Sequence, residues 1–144
     1  MTEVAFHFNA PDKLAYACRF ARKVLRSDAQ LVITGTEEVL DQLDRMLWAL
    51  GPTDFLAHAR IGGDEDIVQA SPVVLSSDPR KSPHHEVLLN LGLNVPEGFA
   101  QFGRLIEVVS AQDESDRNAA RDRWRHYAGR GYEIVRHDLV LKGG

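Results

Sequence analysis

Hydrophobic positions recur along the chain with two different periods, and each change of period marks a new element. Short apolar runs rich in β-branched and aromatic residues are typical of buried strands, whereas apolar residues roughly three to four apart are typical of amphipathic helices. The first pattern predicts strands at residues 4–9, 30–34, 73–76, 86–91, 105–109 and 132–137. The second predicts helices at residues 13–26, 36–50 and 113–129, with one helical turn starting at residue 96.

The ends of these segments carry the expected signals. Asp12 precedes the first helix and Thr36 begins the second, each as an N-cap, and Gly51-Pro52 ends the second helix. Residues 61–66 and 78–83 are interpreted as loops. Alternating strands and helices build a mainly parallel, twisted sheet with helices on both faces. We therefore expect residues 1–144 to form a single α/β domain.

Composition narrows the class of protein. The chain is 44% hydrophobic and 26% charged, which excludes a disordered or fibrous protein, and its apolar runs are far shorter than the ~20 residues of a membrane span. One cysteine, Cys18, excludes an internal disulfide and a thiolate zinc cluster. The first residues lack the basic and apolar regions of a secretion signal, which predicts a cytoplasmic protein.

The net charge of −4 argues against broad, nonspecific nucleic-acid binding, which depends on neutralising phosphates. No direct nucleic-acid binding is expected on that ground, although net charge does not describe local patches. Sheets of this class often bind nucleotides, but neither GxGxxG nor GxxxxGK[ST] occurs. Gly62-Gly63 precedes three acidic residues that would repel phosphate. The pattern is Rossmann-like without a phosphate loop, and a nucleotide-binding regulator remains a third hypothesis.

Catalytic patterns are weak. Asp64, Asp66 and His58 are the residues that a metal-dependent phosphoesterase would use, and this is the alternative function. Consecutive acids beside a glycine turn are more often a solvated loop, which is the interpretation we favour. His84 and His85 are adjacent, so on a strand they would point to opposite faces, and Cys18 lies on an apolar helix face without a base nearby. No catalytic residue, metal or cofactor is expected.

The last helix carries the most distinctive surface. Arginines follow at intervals of four and therefore form a stripe on one face: Arg117, Arg121 and Arg125. Trp124 lies beside this stripe, so guanidinium groups and an indole together could hold a carboxylate and an apolar side chain. The alternative places Trp124 in the core and pairs the arginines with Asp122 or Glu114 on a solvated face. The functional interpretation is a socket for an acidic peptide or a terminal carboxylate.

Three segments in order resemble one known family. Residues 43–48 (LDRMLW) run into residues 55–58 (FLAH), residues 102–109 read FGRLIEVV, and residues 120–127 read ARDRWRHY, followed by Gly131-Tyr132. Together they are similar to the motifs of the chi subunit family of bacterial DNA polymerase III, over almost the whole length. The chain departs from the family at Ala57, where proline is usual, and in a loop after Val109 that is about two residues shorter.

The resemblance implies a mononucleotide-binding-like fold that has lost its nucleotide site. It also implies a noncatalytic accessory subunit of the polymerase holoenzyme, in its clamp-loader complex. Such subunits bind the acidic, phenylalanine-ended C-terminal tail of single-stranded-DNA-binding protein, and they reach the clamp loader through the psi subunit. No motif in this chain locates the surface for psi.

The resemblance also implies roles for particular residues. Arg121 corresponds to the arginine that grips the terminal carboxylate of the tail, and Trp124 corresponds to a tyrosine that walls the pocket. Arg125 and Arg117 correspond to lysines that face the acidic part of the tail. Phe55 corresponds to the phenylalanine that lines the pocket for the last side chain of the tail.

Overall fold

Seven strands lie side by side in the part of the chain that the computed structural model describes, residues 1–50 and 56–140. The strands are β1 (Glu3–Ala10), β2 (Leu31–Thr34), β3 (His58–Arg60), β4 (Val73–Leu75), β5 (Val87–Asn90), β6 (Arg104–Ser110) and β7 (Ile134–Asp138). Their order across the sheet is β3-β4-β2-β5-β6-β1-β7. Every hydrogen-bonded pair of strands is parallel, which confirms the α/β prediction in a stricter, all-parallel form.

Helices connect the strands and begin where their capping residues predict. The helices are α1 (Lys13–Arg26), α2 (Glu37–Trp48), α3 (Glu65–Ala70) and α4 (Glu114–Gly129), with 3₁₀ turns at Pro79–Lys81 and Phe99–Gln101. The Asp12 carboxylate accepts hydrogen bonds from the amides of Leu14 and Ala15 at 3.0 and 3.1 Å, and Thr36 and Asp113 cap α2 and α4 in the same way. No helix in the described residues is long and apolar enough to cross a membrane.

The sheet separates two apolar cores, because successive residues of a strand point to opposite faces. Ile33, Leu89 and Ile106 face α1 and α2, which bury such residues as Phe20 and Leu43 against them. The residues next to them in the strands, among them Val32, Leu88 and Leu105, face α3 and α4 on the other side. The prediction of helices on both faces is confirmed, and α4 is held on the face opposite to α1.

Two short elements differ from the prediction. Residues 61–66 were expected to be a loop, but α3 begins at Glu65, and the Asp64 carboxylate accepts the Asp66 amide at 2.9 Å as its N-cap. The glutamate and aspartate of the first turn complement the helix dipole, which favours a helix over a loop. Strand β3 was not predicted because three residues at a sheet edge carry too little apolar pattern to be recognised.

Candidate functional site

A groove of about 440 Å³ lies between α4 and the end of the sheet formed by β6, β1 and β7. We call it the α4 groove; its main lining residues are Phe6 and Phe8 of β1, Arg136 of β7, and Arg117, Arg121, Trp124 and Arg125 of α4. Four of the five residues that the sequence marks for a binding site therefore meet at one concave surface.

The orientation of α4 is set by a buried polar network on its other side. Glu107, in the middle of β6, is completely buried, and Arg123 is only 2% exposed. Arg123 Nε donates to Glu107 Oε1 at 3.0 Å, and the Tyr127 hydroxyl donates to Glu107 Oε2 at 2.5 Å. Asn90 donates to Glu107 Oε1 at 2.9 Å. Because Arg123 and Tyr127 point into the core, the arginine stripe and Trp124 are turned toward the groove.

Burial perturbs both acidic groups of this network. Loss of hydration raises the pKa of the Glu107 carboxyl, and the neighbouring Arg123 guanidinium and the hydrogen bonds to the carboxylate oppose that rise. The pKa of the Tyr127 phenol is raised by burial first and by the Glu107 carboxylate second. The side chains of this network are buried, and none of them lines the α4 groove. We therefore infer that the network fixes the position of α4 on β6.

The N-terminus of α4 is anchored separately. Asp116 is buried, accepts the Ser110 amide at 2.8 Å and pairs with the Lys13 ammonium at 2.8 Å. The same ammonium donates to the Leu91 carbonyl at 3.0 Å. The Lys13 ammonium thus connects the start of α4 to the carboxyl end of β5. Helix α4 is therefore held near its N-terminus by Lys13 and farther along by the Glu107 network.

Aromatic rings form the apolar side of the groove. The rings of Trp124 and Phe6 lie 5.1 Å apart between centroids, and the Arg136 guanidinium lies 5.3 Å from the centroid of the Phe8 ring. Trp124 is half-buried, since it packs on the core and also lines the groove. The two alternatives for this tryptophan, core or pocket, are therefore both realised by different parts of one side chain.

Guanidinium groups form the polar side. Arg117 donates to the Ala111 carbonyl at 2.9 Å, which holds it at the N-terminal end of the groove. Arg125 pairs with Asp122 at 2.8 Å on the exposed side of α4, as the solvated-face interpretation expects. Arg136 of β7 adds a fourth cation, and no carboxylate is among the described residues that line the groove. The site is electropositive with an aromatic floor.

Phe55 lies outside the described residues, so its assignment to the pocket stays a prediction. The described aromatic floor includes Phe6 and Phe8, which sequence reasoning missed. Their alternation in β1 shows that they share a face, but which helix covers that face depends on the order of strands across the sheet.

The residues of the alternative metal site are engaged elsewhere. The imidazole of His58 contacts the Leu56 carbonyl through Nδ1 at 2.7 Å and Asp44 through Nε2 at 2.9 Å. Asp64 caps α3, as described above. Within residues 1–50 and 56–140, no group of three or more His, Cys, Asp or Glu side chains is placed to hold a metal ion. The structure therefore does not bring Asp64, Asp66 and His58 together as the alternative phosphoesterase function would require.

The remaining candidates have structural contacts. In parallel sheets of this class, phosphates bind at the N-terminus of a helix that follows a strand. At α1 this position is taken by the Asp12 carboxylate, which already accepts two of the free amides. His84 is buried and hydrogen bonds to the Ser71 carbonyl at 2.8 Å. Cys18 is buried, and burial raises the pKa of its thiol, which disfavours the reactive thiolate.

Comparison with known proteins agrees with the motifs. The family described as DNA polymerase III chi subunit, HolC, matches residues 1–135. The protein named DNA polymerase III subunit chi from Pseudomonas aeruginosa is 31% identical over 144 residues, which cover 96% of this chain and 98% of that protein. The family match includes β1, β6 and α4, which supply most of the lining of the α4 groove, and it ends one residue before Arg136. The chain belongs to the DNA polymerase III chi subunit family.

Proposed function

We propose that the chain is a noncatalytic accessory subunit of DNA polymerase III that binds the acidic C-terminal tail of single-stranded-DNA-binding protein in the α4 groove. The observation that carries the proposal is the composition of this groove. Four guanidinium groups surround an aromatic floor, without a carboxylate among its described lining residues. A chain terminus that is acidic and ends in phenylalanine offers the complementary groups.

The chemistry divides along the groove. Arg121 is exposed, and its Nη1 donates to the Asn118 side-chain oxygen at 2.5 Å, a contact that the terminal carboxylate would replace by accepting parallel N–H groups of the guanidinium. The terminal aromatic ring packs against Trp124 and Phe6, which offer apolar area at the floor. Arg117 and Arg125, one turn to either side of Arg121, attract the acidic residues that precede the terminus.

The direct test is calorimetry with a synthetic peptide that carries several aspartates and ends in phenylalanine. Arg121→Ala should weaken binding by roughly 10- to 150-fold, since a hydrogen bond to a charged group contributes about 1.5–3 kcal/mol. Arg26→Ala is the matched control, because Arg26 is exposed at the end of α1 and does not line the groove. Equal dissociation constants for Arg121→Ala and the wild type would remove Arg121 from the site.

Two changes to the conditions test the same contact from the peptide side. Amidating the C-terminus of the peptide should weaken binding to the wild type but should matter little to Arg121→Ala. Raising the salt concentration from 0.05 to 0.5 M should weaken binding, because exposed charges are screened over about 10 Å at 0.1 M. Indifference to both changes would indicate a purely apolar contact and contradict the proposed role of the guanidinium groups.

We infer that the link to the clamp loader, through the psi subunit, uses a different surface near the end of α2. Its support is Trp48, whose side chain is 62% exposed with its ring 5.0 Å from that of His58. Tryptophan is enriched at protein interfaces and among the residues that contribute most to binding there. Trp48→Ala should abolish co-purification with the psi subunit and leave peptide binding in the α4 groove unchanged. Retained co-purification would exclude Trp48 from that interface.

A further inference from the structure

A second cationic groove, of about 510 Å³, lies on the opposite face of the sheet, between α1 and the edge strand β7. We call it the α1 groove; the lining residues that matter here are His7, Tyr16, Arg19, Lys23, Arg104 and His137. The register of the sheet explains why there are two grooves. Phe6 and Arg136 are paired and face α4, whereas the next pair, His7 and His137, faces α1.

The charges of the α1 groove come from separate elements and converge on one surface. Arg19 and Lys23 are four residues apart on α1, so they lie on the same side of the helix. Arg104 enters from the first position of β6. No carboxylate is among the described residues that line the groove; Glu3 is the register partner of Arg104 but does not line it. The described lining therefore carries three cations, Arg19, Lys23 and Arg104, in a chain of net charge −4.

The polar groups between these cations are of the kind that contacts phosphate. His7 is 8% exposed, its Nδ1 is within hydrogen-bond distance of the Tyr16 hydroxyl, and its ring lies 4.6 Å from that of His137. The Arg19 guanidinium lies 5.6 Å from the centroid of the Tyr16 ring. Arginine, lysine, tyrosine and other hydroxyl side chains are among the groups that contact phosphate in nucleic-acid complexes.

We propose that the α1 groove binds the phosphate backbone of a single-stranded nucleic acid. Between Tyr16 and Ser27, both of which line it, α1 extends about 16 Å at 1.5 Å per residue, enough for a few nucleotides. The two grooves differ in their polar groups: both have apolar lining residues, among them Phe20 and Leu139 in the α1 groove, but only the α1 groove adds imidazole and phenol groups to its cations. That difference favours phosphate here and an apolar peptide end in the α4 groove.

The test is fluorescence anisotropy with a labelled oligothymidylate at low salt. The wild type should bind, with affinity falling as salt rises, because each neutralised phosphate of a single strand contributes about −0.7 to the slope of log K against log salt. The double variant Arg19→Glu/Lys23→Glu should bind at least tenfold more weakly, with a slope smaller in magnitude by about 1.4. Thermal melting of each variant verifies that it is folded.

The matched control is Arg26→Glu/Arg45→Glu, which changes the net charge by the same amount at exposed positions that line neither groove. Equal loss in both double variants would show that net charge alone controls binding and would overturn the proposal. It would also be overturned if the wild type bound no oligonucleotide, or if the α1-groove variant lost the acidic peptide instead. Arg121→Ala should leave oligonucleotide binding unchanged, so this inference and the proposed peptide site can fail independently.

Discussion

Arg121 and Arg123 stand two residues apart on α4 and have opposite environments. Arg121 is exposed and lines the α4 groove. Arg123 is 2% exposed and is enclosed by the Glu107 carboxylate at 3.0 Å and the Leu93 carbonyl at 2.9 Å. Two residues along a helix correspond to a rotation of about 200°, so identical side chains are directed into a binding groove and into the core.

The comparison shows that two arginines of the same helix differ in function because their surroundings differ: Arg123 pairs with the buried Glu107 carboxylate, whereas Arg121 faces the α4 groove. A buried guanidinium contributes to folding only if a buried carboxylate receives it, and it then cannot serve a ligand. The exposed Arg121 guanidinium hydrogen bonds only to the Asn118 side chain among the contacts described, and an exposed contact of this kind contributes little to folding and can be exchanged for a ligand. Substitutions of the two arginines should therefore separate stability from binding.

The largest expected effect is on stability. Arg123→Met should lower the free energy of unfolding by about 3–5 kcal/mol, because it leaves the Glu107 carboxylate buried without its cation. Arg121→Met should change it by less than about 0.5 kcal/mol, as is usual for exposed positions. Urea denaturation of both variants measures the difference.

A double variant sharpens that comparison. Arg123→Met combined with Glu107→Leu removes both charges. It should recover only part of the loss, because no unpaired carboxylate remains buried but the Tyr127 hydroxyl loses its acceptor. If Arg123→Met were as stable as Arg121→Met, the ion pair would have no structural role, and the orientation of α4 would have another cause.

The sequence predicts six of the seven strands of the sheet, because each of the six contains a short apolar run. It predicts the arginine stripe because a spacing of four always aligns side chains on a helix. It does not predict that Arg123 is buried, since that depends on contact with β6. One signal was available: Glu107 interrupts the apolar run of residues 105–109, and a charge inside a buried strand requires a partner.

Short elements and distant neighbours were the harder part. Strand β3 has three residues, too few for a period to be recognised. Helix α3 was not predicted because its acidic first turn follows two glycines and resembles a solvated loop. Arg136 joins the α4 groove only because β7 lies beside β1 in the sheet, although the two strands are at opposite ends of the sequence. Spacing along the chain carries no information about such a neighbour.

The next largest effect belongs to the residue on the boundary between groove and core. Trp124→Ala should lower the free energy of unfolding by about 2–3 kcal/mol, less than for a fully buried tryptophan, because its ring packs on Phe6 but is partly exposed. It should also weaken binding of the phenylalanine-ended peptide by at least tenfold. Calorimetry well below the melting temperature separates the two effects. Loss of stability with unchanged peptide affinity would assign Trp124 to the core alone.

A smaller effect on stability, and on its dependence on pH, is expected for the buried hydrogen bond between Tyr127 and Glu107. Tyr127→Phe removes the donor to Glu107 Oε2 and should cost about 1–2 kcal/mol near pH 7. Above pH 10 the unfolded wild type loses its phenolic proton, while the raised pKa of Tyr127 keeps the folded phenol protonated. Stability therefore falls as pH rises above about 10, by about 1.4 kcal/mol per pH unit for each such tyrosine.

The pKa of Tyr16 is also raised by burial, so one such contribution persists in the variant. Tyr127→Phe should accordingly reduce the alkaline slope without abolishing it. Urea denaturation at intervals between pH 9 and 12 measures the slopes. Equal slopes for the variant and the wild type would mean that Tyr127 ionises as readily in the folded protein as in the unfolded chain.

The smallest effect on stability is expected for the exposed ion pair between Arg125 and Asp122. Asp122→Ala should change the free energy of unfolding by less than about 0.5 kcal/mol, because an exposed pair contributes little and alanine favours the helix. Peptide affinity should nevertheless rise a few-fold at low salt, since Arg125 loses its competing carboxylate, and this gain should vanish at 0.5 M salt. Glu38→Ala removes the same charge from the exposed start of α2 and should leave peptide affinity unchanged. An equal gain in affinity in both variants would show that net charge, and not the local pairing of Arg125 with Asp122, controls the attraction between the acidic peptide and the α4 groove.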